Sequence, residues 1–473
     1  MRENPYRQDK EEMKELLMHY NNFKAGKKYD FLEEESFERL IDYFDENENL
    51  LFALEAAEFG ITQYPYSASL LVKKADILIA SQRYLEALTV LEKAEIFDNQ
   101  DINLFILKTD VYLALDNHEK AASILEDAIQ TFEGSDKIEM LFELADVYDD
   151  YEDFDKVFDC LRLILQYDPT SEEALYKICF WTDYTGRNEE SIQLHQHIID
   201  EQPFSQLAWF NLGAAFQGLK LYEKSIDAYL YAVAIDEKFD YAYRNLGDAY
   251  LRLRKYKDAI EVLQKVLELS MPETVIYEAI GHCYEKLKNP AQARFHYRKA
   301  AHLNSLDSHL YYKIALTYMS EKYWESAIKN LNTAMSINRM QADYHLALAE
   351  CYMSIDRVKD SVIHLTQFIK MRPRNIKGWK NLIKCLYDAE FFEEALYQAK
   401  AARENTNDKP LFIFYQAAIL FELGKSKEGL LQLNLAMREA SSMVKQFIAL
   451  NPSILQNNAV AELLSSYKSR KKK

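Results

Sequence analysis

The chain repeats itself every 34 residues. A segment beginning at Ala208 reads AWFNLGAAFQGLKLYEKSIDAYLYAVAIDEKF, and AYRNLGDAYLRLRKYKDAIEVLQKVLELSMPE follows from Ala242 at that offset. A third copy, IYEAIGHCYEKLKNPAQARFHYRKAAHLNS, begins at Ile276. A fixed period of this size implies stacked supersecondary units, because one such unit cannot bury its apolar face alone. With only 11 Gly and 9 Pro in 473 residues, and 49% hydrophobic residues, the units are built of helices with few special turns. The 33 tyrosines suit thin helical layers, where a ring fills the core and its hydroxyl stays wet.

The copies resemble the tetratricopeptide-repeat family, whose pattern is Trp, Leu-Gly and Tyr on a first helix, then Ala, Phe and Ala on a second, and the resemblance extends over most of the chain. With the Gly/Ala site numbered eighth, repeats start at Glu34, Ala68 and Ile102, two extra residues (Asp136 and Lys137) intervene, and nine more start at Ile138, Glu172, Gln206, Asp240, Thr274, Ser308, Ala342, Ile376 and Pro410. The eighth site holds Gly213, Gly247, Gly281, Ala315, Ala349 and Ala417, and the twentieth is small, so paired helices can approach closely. The eleventh is large, as in Tyr148, Phe216, Tyr250, Tyr284, Tyr318 and Tyr352. Pro65, Pro169, Pro203 and Pro373 end second helices because proline cannot continue the ladder. Ile41, Thr109, Cys179 and Ile383 depart from the small eighth site.

The expected fold is therefore all-α: a right-handed superhelical solenoid of about twelve helix-turn-helix repeats with capping helices at both ends. Residues 1–33 are assigned to an N-terminal tail and capping helix, 34–135 to repeats one to three, 138–443 to repeats four to twelve, and 444–473 to a C-terminal capping helix and basic tail. Met13, Leu16, Leu17 and Tyr20 share one helical face that can cover repeat one. Ser453-Ile-Leu-Gln456 has the form of a capping box opening a helix with Val460, Leu463, Leu464 and Tyr467 on one face. The first helix of repeat twelve, LFIFYQAAILF, is apolar all round, so the helix after Ser453 or a partner helix should cover it.

No catalytic constellation is present: there is no Gly-rich phosphate loop and no nucleophile elbow. Cys283, Cys351 and Cys385 share the tenth site and read as packing residues. His195 and His197 are two apart on a helix and cannot readily share a metal. No enzyme activity, cofactor or metal is expected. With no 18-residue apolar run, no signal core and no paired cysteine spacing, a cytoplasmic setting without a membrane span is expected.

Charge divides the chain. Residues 1–170 hold 17 Lys/Arg against 39 Asp/Glu, whereas residues 171–473 hold 40 against 36. In the family the first helices line the partner-binding groove, and its second, fifth, sixth, ninth and twelfth sites give three zones here. An acidic zone comprises Glu35, Glu38, Asp42 and Asp45 with Arg39, then Asp76, Asp110, Glu139, Glu143, Asp146 and Asp149. Crowded carboxylates repel, so a basic segment would relieve them. An aromatic and amide zone comprises Tyr176, Phe180, Phe210, Asn211, Arg244, Asn245, Asp248, Tyr312 and Lys313. Asn211 and Asn245 share the sixth site, resembling the asparagine ladder with which some of these proteins hold a peptide backbone. The Lys/Asn/Arg set of the chaperone-tail clamp is not matched. A basic zone comprises Lys377, Lys380, Asn381 and Lys384, near Arg372, Arg374 and the KSRKKK end. The resulting expectation is an interaction scaffold or adaptor that binds a peptide or helix of one or more partner proteins, with self-association open to it through its repeat ends. The alternative is a nucleic-acid-associated protein using the basic zone, against which the net charge of −18 weighs.

Overall fold

A computed structural model describes residues 5–25 and 32–470, and every described element is helical. The chain divides into two units, Met1–Ala242 and Tyr243–Lys473.

In unit 1, α1 (Pro5–Lys24) precedes six helix pairs: α2 (Glu34–Glu46) with α3 (Leu50–Gln63), α4 (Ala68–Ala80) with α5 (Tyr84–Phe97), α6 (Ile102–Ala114) with α7 (His118–Ile129), α8 (Gly134–Asp150) with α9 (Phe154–Tyr167), α10 (Glu172–Thr185) with α11 (Asn188–Glu201), and α12 (Gln206–Gly218) with α13 (Tyr222–Ile235). The helix α14 (Asp240–Arg252) opens the seventh repeat. In unit 2, α15 (Tyr256–Leu269) is followed by α16 (Thr274–Lys286) and α17 (Pro290–Leu303), α18 (Ser308–Ser320) and α19 (Trp324–Ile337), α20 (Ala342–Ser354) and α21 (Val358–Met371), α22 (Ile376–Asp388) and α23 (Phe392–Asn405), and α24 (Pro410–Glu422) and α25 (Ser426–Ala440). Two last helices, α26 (Val444–Leu450) and α27 (Asn458–Arg470), are joined by 3-10 turns at Ser441–Met443 and Pro452–Gln456. Each unit is an all-α stack in which the two helices of a repeat pack on each other, as α4 on α5 and α16 on α17, and adjoining repeats pack in turn, as α3 on α4 and α17 on α18.

One helix starts ahead of its repeat. The spacing starts the fourth repeat at Ile138, and α8 begins a turn earlier, at Gly134, and runs 17 residues where α6 runs 13. Asp136 and Lys137 are thus absorbed as helix.

The eighth site sets the closeness of each pair. A methyl group on Gly213 would lie 2.6 Å from the Tyr229 ring, one on Gly281 2.6 Å from Tyr297, and one on Gly247 2.7 Å from Leu263. All three partners occupy the twenty-fourth site, so the glycine is the slot into which that large side chain drops.

The turn inside each repeat has its own periodic signature. The fifteenth residue is left-handed in every repeat: Glu48, Gln82, Asp116, Glu152, Gly186, Lys220, Arg254, Lys288, Lys322, Asp356, Glu390 and Gly424 have φ from 56° to 73°. The next amide then donates to the carbonyl five residues back, as from Arg83 to Leu78, Leu221 to Phe216 and Tyr323 to Tyr318. This is a Schellman closure, which satisfies carbonyls left over at the helix end.

At the N-terminus α1 buries Tyr20 and lays Leu16, Leu17 and Phe23 on the core of repeat one, with the Tyr20 ring 6.1 Å from Phe44 and 6.3 Å from Phe59. At the C-terminus two corrections are needed. Residues 452–456 form a 3-10 turn, Ser453 Oγ donates to Asn451 Oδ1 (2.7 Å), and the side chain capping α27 is Asn457, which accepts from the Ala459 amide (3.1 Å). Beyond its packing on α23 and α25, the apolar helix α24 is covered by the seven-residue α26, whose Phe447 ring lies 6.2 Å from Phe414. The helix after Ser453 reaches α25 instead, where Tyr467 donates to Asn434 Oδ1 (2.7 Å). The KSRKKK end lies outside the residues whose side chains are described.

Candidate functional site

In unit 1 the first helices of successive repeats lie side by side. Lys73 of α4 pairs with Asp42 of α2 (2.5 Å), Ser69 donates to Glu38, and Lys177 of α10 pairs with Asp146 of α8 (3.5 Å). A chain of carboxylates crosses this face. Burial raises the Asp76 carboxyl above its ordinary range, Asp45 and Asp42 add to the shift and Lys73 opposes it. Burial and then the charge of Asp76 raise Asp110. Burial, Asp110, Asp146 and Glu139 together raise Glu143, against Lys177. Each shift names the next carboxylate along, so the acids of four repeats feel one another. Of the expected acidic residues, Glu139, Glu143 and Asp146 belong to this set directly; Asp42 and Glu38 are partly engaged by Lys73 and Ser69, and Glu35 is exposed at the start of α2.

The acid run meets an aromatic stripe on α10. Tyr176, Phe180 and Tyr184 recur every four residues on one helical face and are 60%, 61% and 61% exposed. Phe154 of α9 braces them: it stacks on Trp181 at 5.1 Å and meets Tyr184 edge-on at 4.8 Å, while Phe180 meets Trp181 edge-on at 4.9 Å. Phe180 and Tyr184 are thus exposed and packed at once. Tyr184, Trp181 and Phe154 were not among the expected residues, although the four-residue spacing from Tyr176 was there to be read.

The remaining residues of the aromatic and amide zone are held within the protein. Asn211 is 2% exposed and reads no partner backbone, which corrects its assignment to the groove. Its Nδ2 donates to the Leu175 carbonyl (2.7 Å) and meets His195 Nε2 (3.1 Å). His195 Nδ1 lies 2.7 Å from the Ser191 carbonyl, which fixes the proton on Nδ1 and leaves Nε2 to accept from Asn211. Burial holds this imidazole down at about 4, so it is neutral. Phe210 packs on Phe239 (5.1 Å). In unit 2, Arg244 pairs with Glu273 (2.8 Å) and donates to Ser270 Oγ (2.9 Å). Lys313 pairs with Glu278 (2.6 Å), Asp248 with Arg252 (3.3 Å), and Tyr312 packs on Tyr344 (5.1 Å). Asn245 is half-buried.

The basic zone is largely paired. Lys377 meets Glu350 (2.7 Å), Asn381 donates to the same carboxylate (3.4 Å), Lys380 donates to Gln446 (3.3 Å), and Arg372 grips Asp343 (3.0 Å). Lys384 remains exposed. Cys160, Cys283, Cys351 and Cys385 are buried and Cys179 is half-buried; burial pushes the Cys283 thiol up to about 11 and that of Cys351 up to about 12, far from thiolate chemistry. Among the described residues no group of three or more His, Cys, Asp or Glu could hold a metal ion, and no helix is long and apolar enough to cross a membrane.

A stack of antiparallel helix pairs with a 34-residue period, a small eighth site and a left-handed fifteenth defines an α-helical repeat protein. The family model for the tetratricopeptide repeat matches residues 240–271, 275–305 and 308–339, three repeats in unbroken succession. The chain is a tetratricopeptide-repeat protein, a scaffold of the protein-interaction kind. Among solved structures it is similar to YrrB, described as a TPR protein with an unusual peptide-binding site (18% identity over 39% of this chain and 95% of that one, TM-score 0.36). Others are the C-terminal part of a TPR protein from Cytophaga hutchinsonii (13% identity, 54% and 99% coverage, TM-score 0.44) and the APC/C hetero-tetramer Cut9-Hcn1 (10% identity, 82% and 97% coverage, TM-score 0.33). No curated protein matches the sequence.

Proposed function

We propose that this scaffold binds a partner protein along the first-helix face of unit 1, and that the partner contributes an extended segment with basic residues leading to an apolar one. The observation that carries this reading is the junction of two surfaces: carboxylates raised by burial and by neighbouring acids, from Asp76 through Asp110 to Glu143, then the exposed rings of Tyr176, Phe180 and Tyr184. Cationic side chains would relieve the repulsion among the acids, and an apolar side chain would bury against the rings. A preformed face keeps the ordering cost on the partner's side.

The test uses the full chain and a labelled decapeptide with Lys at alternate positions and a C-terminal Phe. A triple variant, Asp76→Asn with Asp110→Asn and Glu143→Gln, should bind about tenfold more weakly and show a shallower salt dependence. Phe180→Ala should weaken binding without altering the salt slope. Equal affinity for the wild type and the triple variant would remove the acid face from the proposal.

A further inference from the structure

The helix α26 does not continue the stack. A thirteenth repeat would set its first helix against α25, as α24 sits against α23; α26 lies chiefly against α24. Its polar ends are tied to two first helices. Lys380 of α22 donates to Gln446 Oε1 (3.3 Å). Asn451 Nδ2 donates to Glu422 Oε1 of α24, an oxygen that also accepts from Tyr387 of α22 (3.2 Å). Lys380 and Tyr387 are seven residues apart on α22, so residues 446–451 run lengthwise beside α22 and α24. This is the course a bound helix would take along a first-helix face.

Between the two ties Phe447 is wholly buried, and Leu450 and Ile454 follow it into the cluster of Trp379, Ile383, Leu386 and Phe414. The other side of α26 is loosely filled: Val444 and Ile448 line a cavity of about 460 Å³ with Leu455, Leu464 and Tyr467. Seven residues are too few to hold a helix unaided, so the face imposes helical form on this segment. It is therefore anchored on one side and poorly packed on the other, as a displaceable element would be.

We propose that the face formed by α22 and α24 is a helix-binding groove, occupied in the free chain by residues 444–451 as a built-in ligand. Its other occupant is a short amphipathic helix of a partner protein carrying the same pattern: an aromatic residue, Leu three positions on, and an amide side chain next to it, as in Phe447, Leu450 and Asn451. The partner takes the groove by displacing the chain's own segment. This inference rests on unit 2 alone and stands or falls independently of the acid face.

The probe is a fluorescent peptide of residues 441–457, titrated into the full-length protein. Phe447→Asp places a carboxylate in an apolar site and should undock α26. The opened variant should bind the peptide at least about tenfold more tightly than wild type, whose groove is filled at the high local concentration of a tethered segment. Asn451→Ala, which removes one tie only, should give an intermediate gain, and Glu422→Gln in the opened chain should reduce it. A folded Phe447→Asp protein that binds the peptide no better than wild type overturns the proposal. So does loss of cooperative helical melting in both Phe447→Asp and Asn451→Ala, which would make α26 an obligatory part of the fold.

Discussion

The two units share a frame and differ in what their first helices offer. Unit 1 holds 22 Lys/Arg against 51 Asp/Glu, whereas unit 2 holds 35 against 24. In unit 1 the excess sits where like charges face one another across successive repeats, and burial together with that repulsion raises three carboxyls. In unit 2 the charges at the same helical sites are spent internally, Lys377 on Glu350, Lys313 on Glu278 and Arg244 on Glu273, and the last face is filled by α26. A repeat frame thus fixes where side chains point without fixing whether they are satisfied. One unit keeps unsatisfied charge on its face, and the other has consumed its own.

The largest expected effects lie in unit 1. Asn211→Ala leaves His195 Nε2 unpaired in the core, removes the added bond to the Leu175 carbonyl and should cost about 3 kcal/mol by urea unfolding. The part-exposed Arg244→Ala in unit 2 should cost about 1 kcal/mol, and equal losses would deny that one is core and the other surface. Acidification is the next lever. His195 stays neutral to about 4 when folded, whereas an unfolded histidine charges near 6.5. Its contribution is absent above pH 6.5 and grows to roughly 3 kcal/mol of lost stability as pH falls to 4. The raised carboxyls act oppositely, since their repulsion is full at neutral pH and fades as they protonate. The triple amide variant should therefore be more stable than wild type at pH 7 and lose stability more steeply below pH 6; a parallel pH profile would break the comparison.

Two smaller tests ask whether the frame itself is common to both units. Gly213→Ala and Gly281→Ala each push a methyl group into a tyrosine ring and should each cost about 2 kcal/mol. A marked inequality would show that the eighth site differs between units. Lys220→Gly and Lys322→Gly should each stabilise by about 0.5–1 kcal/mol, because both residues are left-handed with a side chain attached.

The fold was legible because the eighth, eleventh, twentieth and thirty-second sites recur in register, and each has a packing or chain-breaking reason. The two residues before Ile138 were not placed, because an insertion can lengthen a turn or a helix and the 34-residue offset does not distinguish them. Asn211 misled for a related reason. Its sixth-site amide matched Asn245, but the decisive residue was His195, the one polar side chain at a twenty-fourth site that otherwise carries Ala, Leu or Tyr. A polar residue in that slot needs a buried partner, and Asn211 is the partner. The α26 segment escaped notice because seven residues show no helical period; only α24, apolar on every side, announced that something must cover it.

The left-handed fifteenth residue bears on how such a chain can change over time. Ten of its twelve occurrences are Glu, Gln, Asp, Lys or Arg, so the backbone there is set by the hydrogen bonds that close the turn and not by residue identity. A charge can be written, erased or reversed at that point in any repeat while the helices on either side keep their places. The rim of turns is then a margin where descendants of this sequence can acquire new electrostatic character without renegotiating the core.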